Sequence, residues 1–167
     1  MTSEGRFLIV MSGFADLYFV AWHRSRVALD RRFNGYLLIP HKGFACEACS
    51  GSSSLYPLPE GRYVATNFRE RNEAVMTREG VGFSVDLSDK FDPAIKRTRS
   101  LLRIHPDGGL PGTEACIGIL SQVDACRNHL RSMFSDPKAT RSLVVTSAAD
   151  KRFTSLVFSL IKSLVVQ

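Results

Sequence analysis

The chain has 167 residues, 44% of them hydrophobic and 23% charged, with 22 Lys and Arg against 16 acidic residues. That length suits one domain, and that balance excludes a disordered chain or a fibrous repeat. The formal charge of +6 and a pI near 9.4 favour an anionic partner, without choosing among nucleic acid, cell-wall polymer and membrane surface.

The first half reads as strands. Residues 7–11 (FLIVM) and 17–22 (LYFVAW) are apolar runs about the Ser12-Gly13 turn signal, so 7–22 suggests a hairpin. Residues 24–32 are basic with roughly strand-like alternation, and 36–39 (YLLI) form a short strand stopped by Pro40. Residues 41–55 are small and polar and read as loop. A turn over 57–61 leads into a strand that starts at Tyr63. Residues 81–87 alternate, with Val81, Phe83, Val85 and Leu87 on one face. Residues 88–100 read as a loop or short helix, and 101–105 (LLRIH) as a strand running into the turn-rich 106–112. Helical spacing follows over 121–134 through Val123, Cys126, Leu130 and Met133, then a strand over 143–146. Asp150 is placed to cap a terminal helix over 151–167, whose stripe of Phe153, Leu156, Val157, Leu160, Ile161 and Leu164 would pack on the sheet. No repeat or linker divides the chain, so a single domain over 1–167 is expected.

The apolar-leaning stretch 7–22 is broken by Ser12, Gly13 and Asp16, short of the ~18–20 continuous apolar residues of a spanning helix, so stable membrane insertion is not expected. Glu4 and the want of a cleavage box argue against a signal peptide, and the expectation is synthesis in the cytoplasm.

The chemistry concentrates in 103–119, RIHPDGGLPGTEACIGI. His105 ends a strand, so a rigid element aims its ring. Cys116 follows a loop rich in Gly and Pro that can bring the chain back on itself. Small neighbours, Ala115 and Gly118, leave the backbone N–H groups around the cysteine approachable. A thiol beside an imidazole becomes a thiolate–imidazolium pair, a reactive nucleophile, and turn N–H groups can hold a developing oxyanion. A buried structural cysteine with a surface histidine is the plainer reading of two such residues.

The run of His, a Gly/Pro-rich loop, then Thr113-x-Ala115-Cys116 resembles the signature of the L,D-transpeptidase catalytic domain, closest to the shorter-loop forms found in type VI secretion effectors and related phage proteins. Ser50-Gly51, followed by Leu58-Pro59-Glu-Gly61-Arg-Tyr63, resembles that family's upstream run, and the likeness covers roughly residues 7–120. It implies a mainly β, β-rich α+β fold: a mixed β-sheet sandwich with one or two flanking helices. It implies Cys116 as nucleophile and His105 as general base, with the ring oriented by a main-chain carbonyl in the 106–109 turn. Thr113, Ala115 and Gly109 would shape the loop and the oxyanion turn. Arg103 and Asp107 would be substrate contacts, Asp107 alternatively orienting the ring or forming the turn. The chain departs from the pattern twice. Ala115 stands where the family has Gly, at about 1 kcal/mol if the position needs positive φ, and the basic residue after the cysteine is missing. The implied reaction is acyl transfer on peptidoglycan stem peptides, by transpeptidation, D-amino-acid exchange or carboxypeptidase cleavage, with no cofactor or metal. With no leader, it would be an antibacterial effector delivered by a secretion carrier to the periplasm of a target cell, or a phage enzyme, and an effector implies an immunity protein.

Other readings stay open. Cys46-x-x-Cys49 with His41 offers three zinc ligands, and the pair alone a disulfide or redox site; otherwise the two thiols border the cleft. Arg24, Arg26, Arg31, Arg32, Lys96, Arg97 and Arg99, near Tyr18, Phe19 and Trp22, suggest a nucleic-acid platform, although the aromatics fit better as core. A third reading is an inactive homologue that only binds wall peptide.

Overall fold

A computed structural model describes residues 15–24, 32–53, 56–109 and 112–147. The expected strand over 7–11, the basic run 25–31 and the terminal helix 151–167 lie outside the described residues.

Strands β1 (Leu17–Arg24), β2 (Phe33–Ile39) and β3 (Phe44–Ser50) form an antiparallel meander. β4 (Gly61–Glu70), β5 (Thr77–Arg78) and β6 (Val81–Leu87) follow. β7 (Lys90–Asp92) and β8 (Arg97–Arg99) make a separate hairpin. β9 (Arg103–Pro106), β10 (Ile117–Ile119), the helix α1 (Val123–Met133) and β11 (Arg141–Ser147) complete the described chain. The main sheet runs β4-β11-β1-β2-β3-β10-β9-β6-β5. β4 also pairs with β6, which closes the sheet into a barrel, while β5 is a spur on β6. The mainly β expectation holds, with a flanking helix. Where two facing layers were expected, a single sheet closes on itself. Closure pairs every strand of the ring on both sides and leaves no edge within it. Two pairs, β1 with β11 and β9 with β10, are parallel.

Alternation along each strand fills the barrel. Phe19, Leu37, Cys46, Ala48, Phe83, Val85, Ile104, Ile117 and Ile119 all point into one core, joined by Val123, Cys126, Leu130 and Met133 of α1. The expected face of Phe83, Val85 and Leu87 is this inner one. A smaller cluster, Ala15, Tyr18, Val20, Leu38 and Val144, is buried on the opposite face of β1, β2 and β11. Tyr18 and Phe19 are thus core residues rather than a stacking platform.

Two expectations fail. Residues 44–50, read as loop, are the central strand β3. Its small side chains suit the tight interior, and register with β2 along its whole length supplies the β order that composition hides. Residues 88–100 are neither loop nor helix but the β7–β8 hairpin. It is held by Arg99, whose Nη1 donates to Asp92 Oδ2 at 2.9 Å and to the Tyr56 and Pro57 carbonyls. Arg99, counted above among the free basic residues, is in a buried ion pair.

Candidate active site

β9 and β10 run in parallel with Ile117 opposite Ile104 and Gly118 opposite His105. Ile104, Ala115 and Ile117 are core residues. Alternation therefore turns Arg103, His105 and Gly118 to the outer face of the barrel. Cys116 immediately precedes β10, so its thiol enters this region from just before the paired strand.

The loop between β9 and β10 folds back over this face. A Cβ on Gly118 would sit 2.6 Å from Thr113 Cγ2 and 3.0 Å from Asp107 Cβ, so a residue without a side chain is what lets the loop lie flat. Asp107 is buried, and its Oδ2 accepts the Gly112 N–H at 3.0 Å and faces the Cys49 thiol at 3.5 Å. Its carbonyl accepts Arg78 Nη1 at 3.1 Å. Thr113 donates its hydroxyl to the Cys116 carbonyl at 2.5 Å and its N–H to the Gly51 carbonyl at 2.9 Å. The segment after β3 meets the loop here: the Gly51 carbonyl braces it, and Ser50 Oγ accepts the Leu58 N–H at 2.8 Å.

His105 is buried, and its Nδ1 lies 2.7 Å from the Pro106 carbonyl. A carbonyl only accepts, so Nδ1 carries the proton and Nε2 presents a lone pair. The orienting carbonyl expected in the 106–109 turn is that of Pro106. Burial lowers the imidazole pKa; the Pro106 bond and the Asp107 charge work against that, and the Arg103 charge works with it.

Cys116 is half-buried. Its thiol faces the Leu101 carbonyl at 4.0 Å, with the Arg103 backbone N–H close enough to favour the thiolate. Burial raises the thiol pKa, against the Arg103 N–H and the charges of Arg103 and Arg99. The expected thiolate–imidazolium pair is therefore not the resting state. Desolvation disfavours both charged forms, and the sulfur is bonded to the 101–103 backbone rather than to the ring.

Ala115 has φ +67°, a left-handed conformation that a glycine would take without strain. Its N–H is engaged by the Thr113 carbonyl at 2.9 Å, so Ala115 shapes the turn and is not an oxyanion donor. Gly109 is exposed at φ +81°, a left-handed conformation that suits glycine. Arg103 shares the face of His105, but its Nε reaches Asp86 Oδ1 at 3.4 Å, and Arg69 binds the same carboxylate oxygen. Two guanidiniums share one carboxylate, leaving a net positive patch on the β9–β6 face. Asp107, expected as a substrate contact, is occupied in bracing the loop.

Sequence reasoning missed Asp86, Arg69 and Arg78. Their places depend on strand register and had no local signal. Cys46 points into the core and Cys49 to the outer face of β3, because positions three apart on a strand face oppositely. They form neither a disulfide nor a shared metal site. Cys46 instead joins Cys126 of α1 in the core, as a second free thiol. No group of three His, Cys, Asp or Glu side chains among the described residues is placed to hold a metal ion. No described helix is long and apolar enough to cross a membrane.

A cavity of about 600 Å³ opens at one end of the barrel between Phe19, Phe33, Tyr56, Leu58, Phe91 and Val145. No residue of β9 or β10 lines it, so this cavity and the thiol–imidazole face are separate features. Compared with protein-family models, with curated proteins and with solved structures, the chain matches none.

Proposed function

We propose that this chain is a cysteine enzyme of the L,D-transpeptidase kind, working by acyl transfer on peptidoglycan stem peptides. The observation that carries the reading is the ring of His105. Its Nδ1 is held by the Pro106 carbonyl, which leaves Nε2 to present a lone pair, and the half-buried Cys116 leads directly into β10, the strand paired with that of the ring.

Rotation of Cys116 about χ1 between staggered wells frees Sγ from the 101–103 backbone. His105 Nε2 takes the thiol proton as the sulfur attacks the stem-peptide carbonyl, and the imidazolium then returns that proton to the departing amine. The product is a thioester on Cys116 and a free amine. An incoming amine gives transpeptidation or D-amino-acid exchange, and water gives carboxypeptidase cleavage; either acceptor loses its proton to His105 and restores the thiol. The positive patch about Arg69 and Arg103 favours an anionic substrate. On this reading the protein acts in the cell wall of a target cell as a delivered antibacterial effector, with a carrier and an immunity protein as partners.

Digestion of purified sacculi by wild type and Cys116→Ala, with muropeptides read by mass, tests this. Wild type alone should shorten, exchange or cross-link stems; identical muropeptide patterns would refute it. The second reading, a wall-peptide binder without catalysis, is favoured by the raised thiol pKa and the absence of a resting sulfur–ring bond. Equal retention of both proteins on sacculi with no new muropeptide would select it.

A further inference from the structure

We propose that Asp107 is a positioning residue for His105, its carboxylate braced over Gly118 so that it supplies the negative charge that holds the imidazolium formed when Cys116 gives up its proton. The inference rests on the acyl-transfer reading, and deepens it by naming the group that acts through the base.

The geometry comes from one row across the outer face. β3, β10 and β9 place Cys49, Gly118 and His105 side by side, Gly118 registering with both. Asp107 roofs the middle of that row, its Cβ 3.0 Å from where a side chain on Gly118 would begin. The carboxylate is held from two sides, by the Gly112 N–H and by the Cys49 thiol, and both bonds fall on Oδ2. That thiol is a dependable donor, since burial and then the Asp107 charge push it up to about 12. Arg78 pins the same residue through its carbonyl.

Other charged or titratable groups stand on the elements packed about the ring: Arg103 on β9, Asp86 on β6, Cys116 and Glu114 leading into β10, Cys49 on β3 and Arg78 on β5. Of their charges, those of Arg103 and Asp107 bear on the His105 proton, with opposite sign. Arg103 is largely answered by Asp86. The Asp107 charge bears on the His105 proton with Arg78 held at the carbonyl of the same residue.

Asp107→Asn keeps an acceptor in the Oδ2 position and removes the charge. The His105 ring resonance, assigned by its loss in His105→Gln, should titrate about one pH unit lower in Asp107→Asn than in wild type, as expected for a neighbouring charge. Asp107→Ser, which also removes the charge, should lower the ring midpoint in the same direction. If Asp107→Asn fails to fold, this second variant decides. Unmoved midpoints in folded protein would overturn the proposal. On sacculi, the acid limb of kcat/KM should move down with the ring midpoint while the plateau falls about tenfold, a combination that mere loosening of the loop would not give. A shifted ring with an unchanged pH profile would overturn the role in catalysis. Wild type without sacculus activity would sink the acyl-transfer reading, while the two titrations would still decide the charge coupling.

Discussion

The hydroxyl of Thr113 gives the sharpest test of how the nucleophile is held. It donates to the carbonyl of Cys116 itself, from a side chain that is 3% exposed, while the same residue's methyl lies against Gly118. Thr113→Val deletes the donor and keeps the methyl. The Cys116 carbonyl then loses that partner in a site where water enters poorly, a cost of about 1–3 kcal/mol. Thr113→Ser does the reverse: it keeps the donor and loses one methyl, about 0.8 kcal/mol by burial alone. Urea unfolding of the two variants should therefore rank Val below Ser. The thiol should respond as well. With its backbone released, Cys116 drifts from the Arg103 N–H that favours the thiolate, so the pH midpoint for alkylation by iodoacetamide should rise in Thr113→Val and stay put in Thr113→Ser. Should Thr113→Val match wild type in stability and alkylation while Thr113→Ser is the damaged one, the hydroxyl does not hold the nucleophile.

Gly118→Ala places a Cβ 2.6 Å from Thr113 Cγ2 and should lift the loop at about 1–3 kcal/mol, read by urea unfolding, with faster hydrogen exchange at the Gly112 and Thr113 amides. Arg99→Met leaves Asp92 buried without its cation and should destabilise by about 3–5 kcal/mol in the same assay. Replacing both Arg99 and Asp92 by apolar residues should cost much less. Burial holds the His105 pKa below its ordinary 6.5, so the unfolded chain binds a proton that the folded chain refuses. Its contribution is fully present above that ordinary value and is lost as pH falls toward the folded one. Urea midpoints measured across that window should decline on acidification in wild type and decline less in His105→Gln. His129, also lowered by burial, keeps the remaining slope. In native protein iodoacetamide should label Cys116 first, since the other three thiols are buried, and unfolding should expose all four.

Several features were legible in the chain because their causes are local. The alternation in 81–87, the helical spacing of Val123, Cys126, Leu130 and Met133, and the proline after Ile39 specify their own structure, whatever they pack against. The positive φ at Ala115 and a carbonyl for the His105 ring were expectations carried by the resemblance, not by the local pattern of the segment. Tertiary structure decided the rest. Small residues over 44–50 carry no strand signal, and register between β2 and β10 makes them the middle of the sheet. Closure of the barrel through β4 and β6 depends on pairing between segments distant along the chain, which no window of sequence contains. The same long-range register sends Cys46 inward and Cys49 outward, gives Arg103 to Asp86, and sets Asp107 over Gly118. A motif can nominate a thiol and an imidazole; their protonation is set by burial and by neighbours that arrive only when the strands pair.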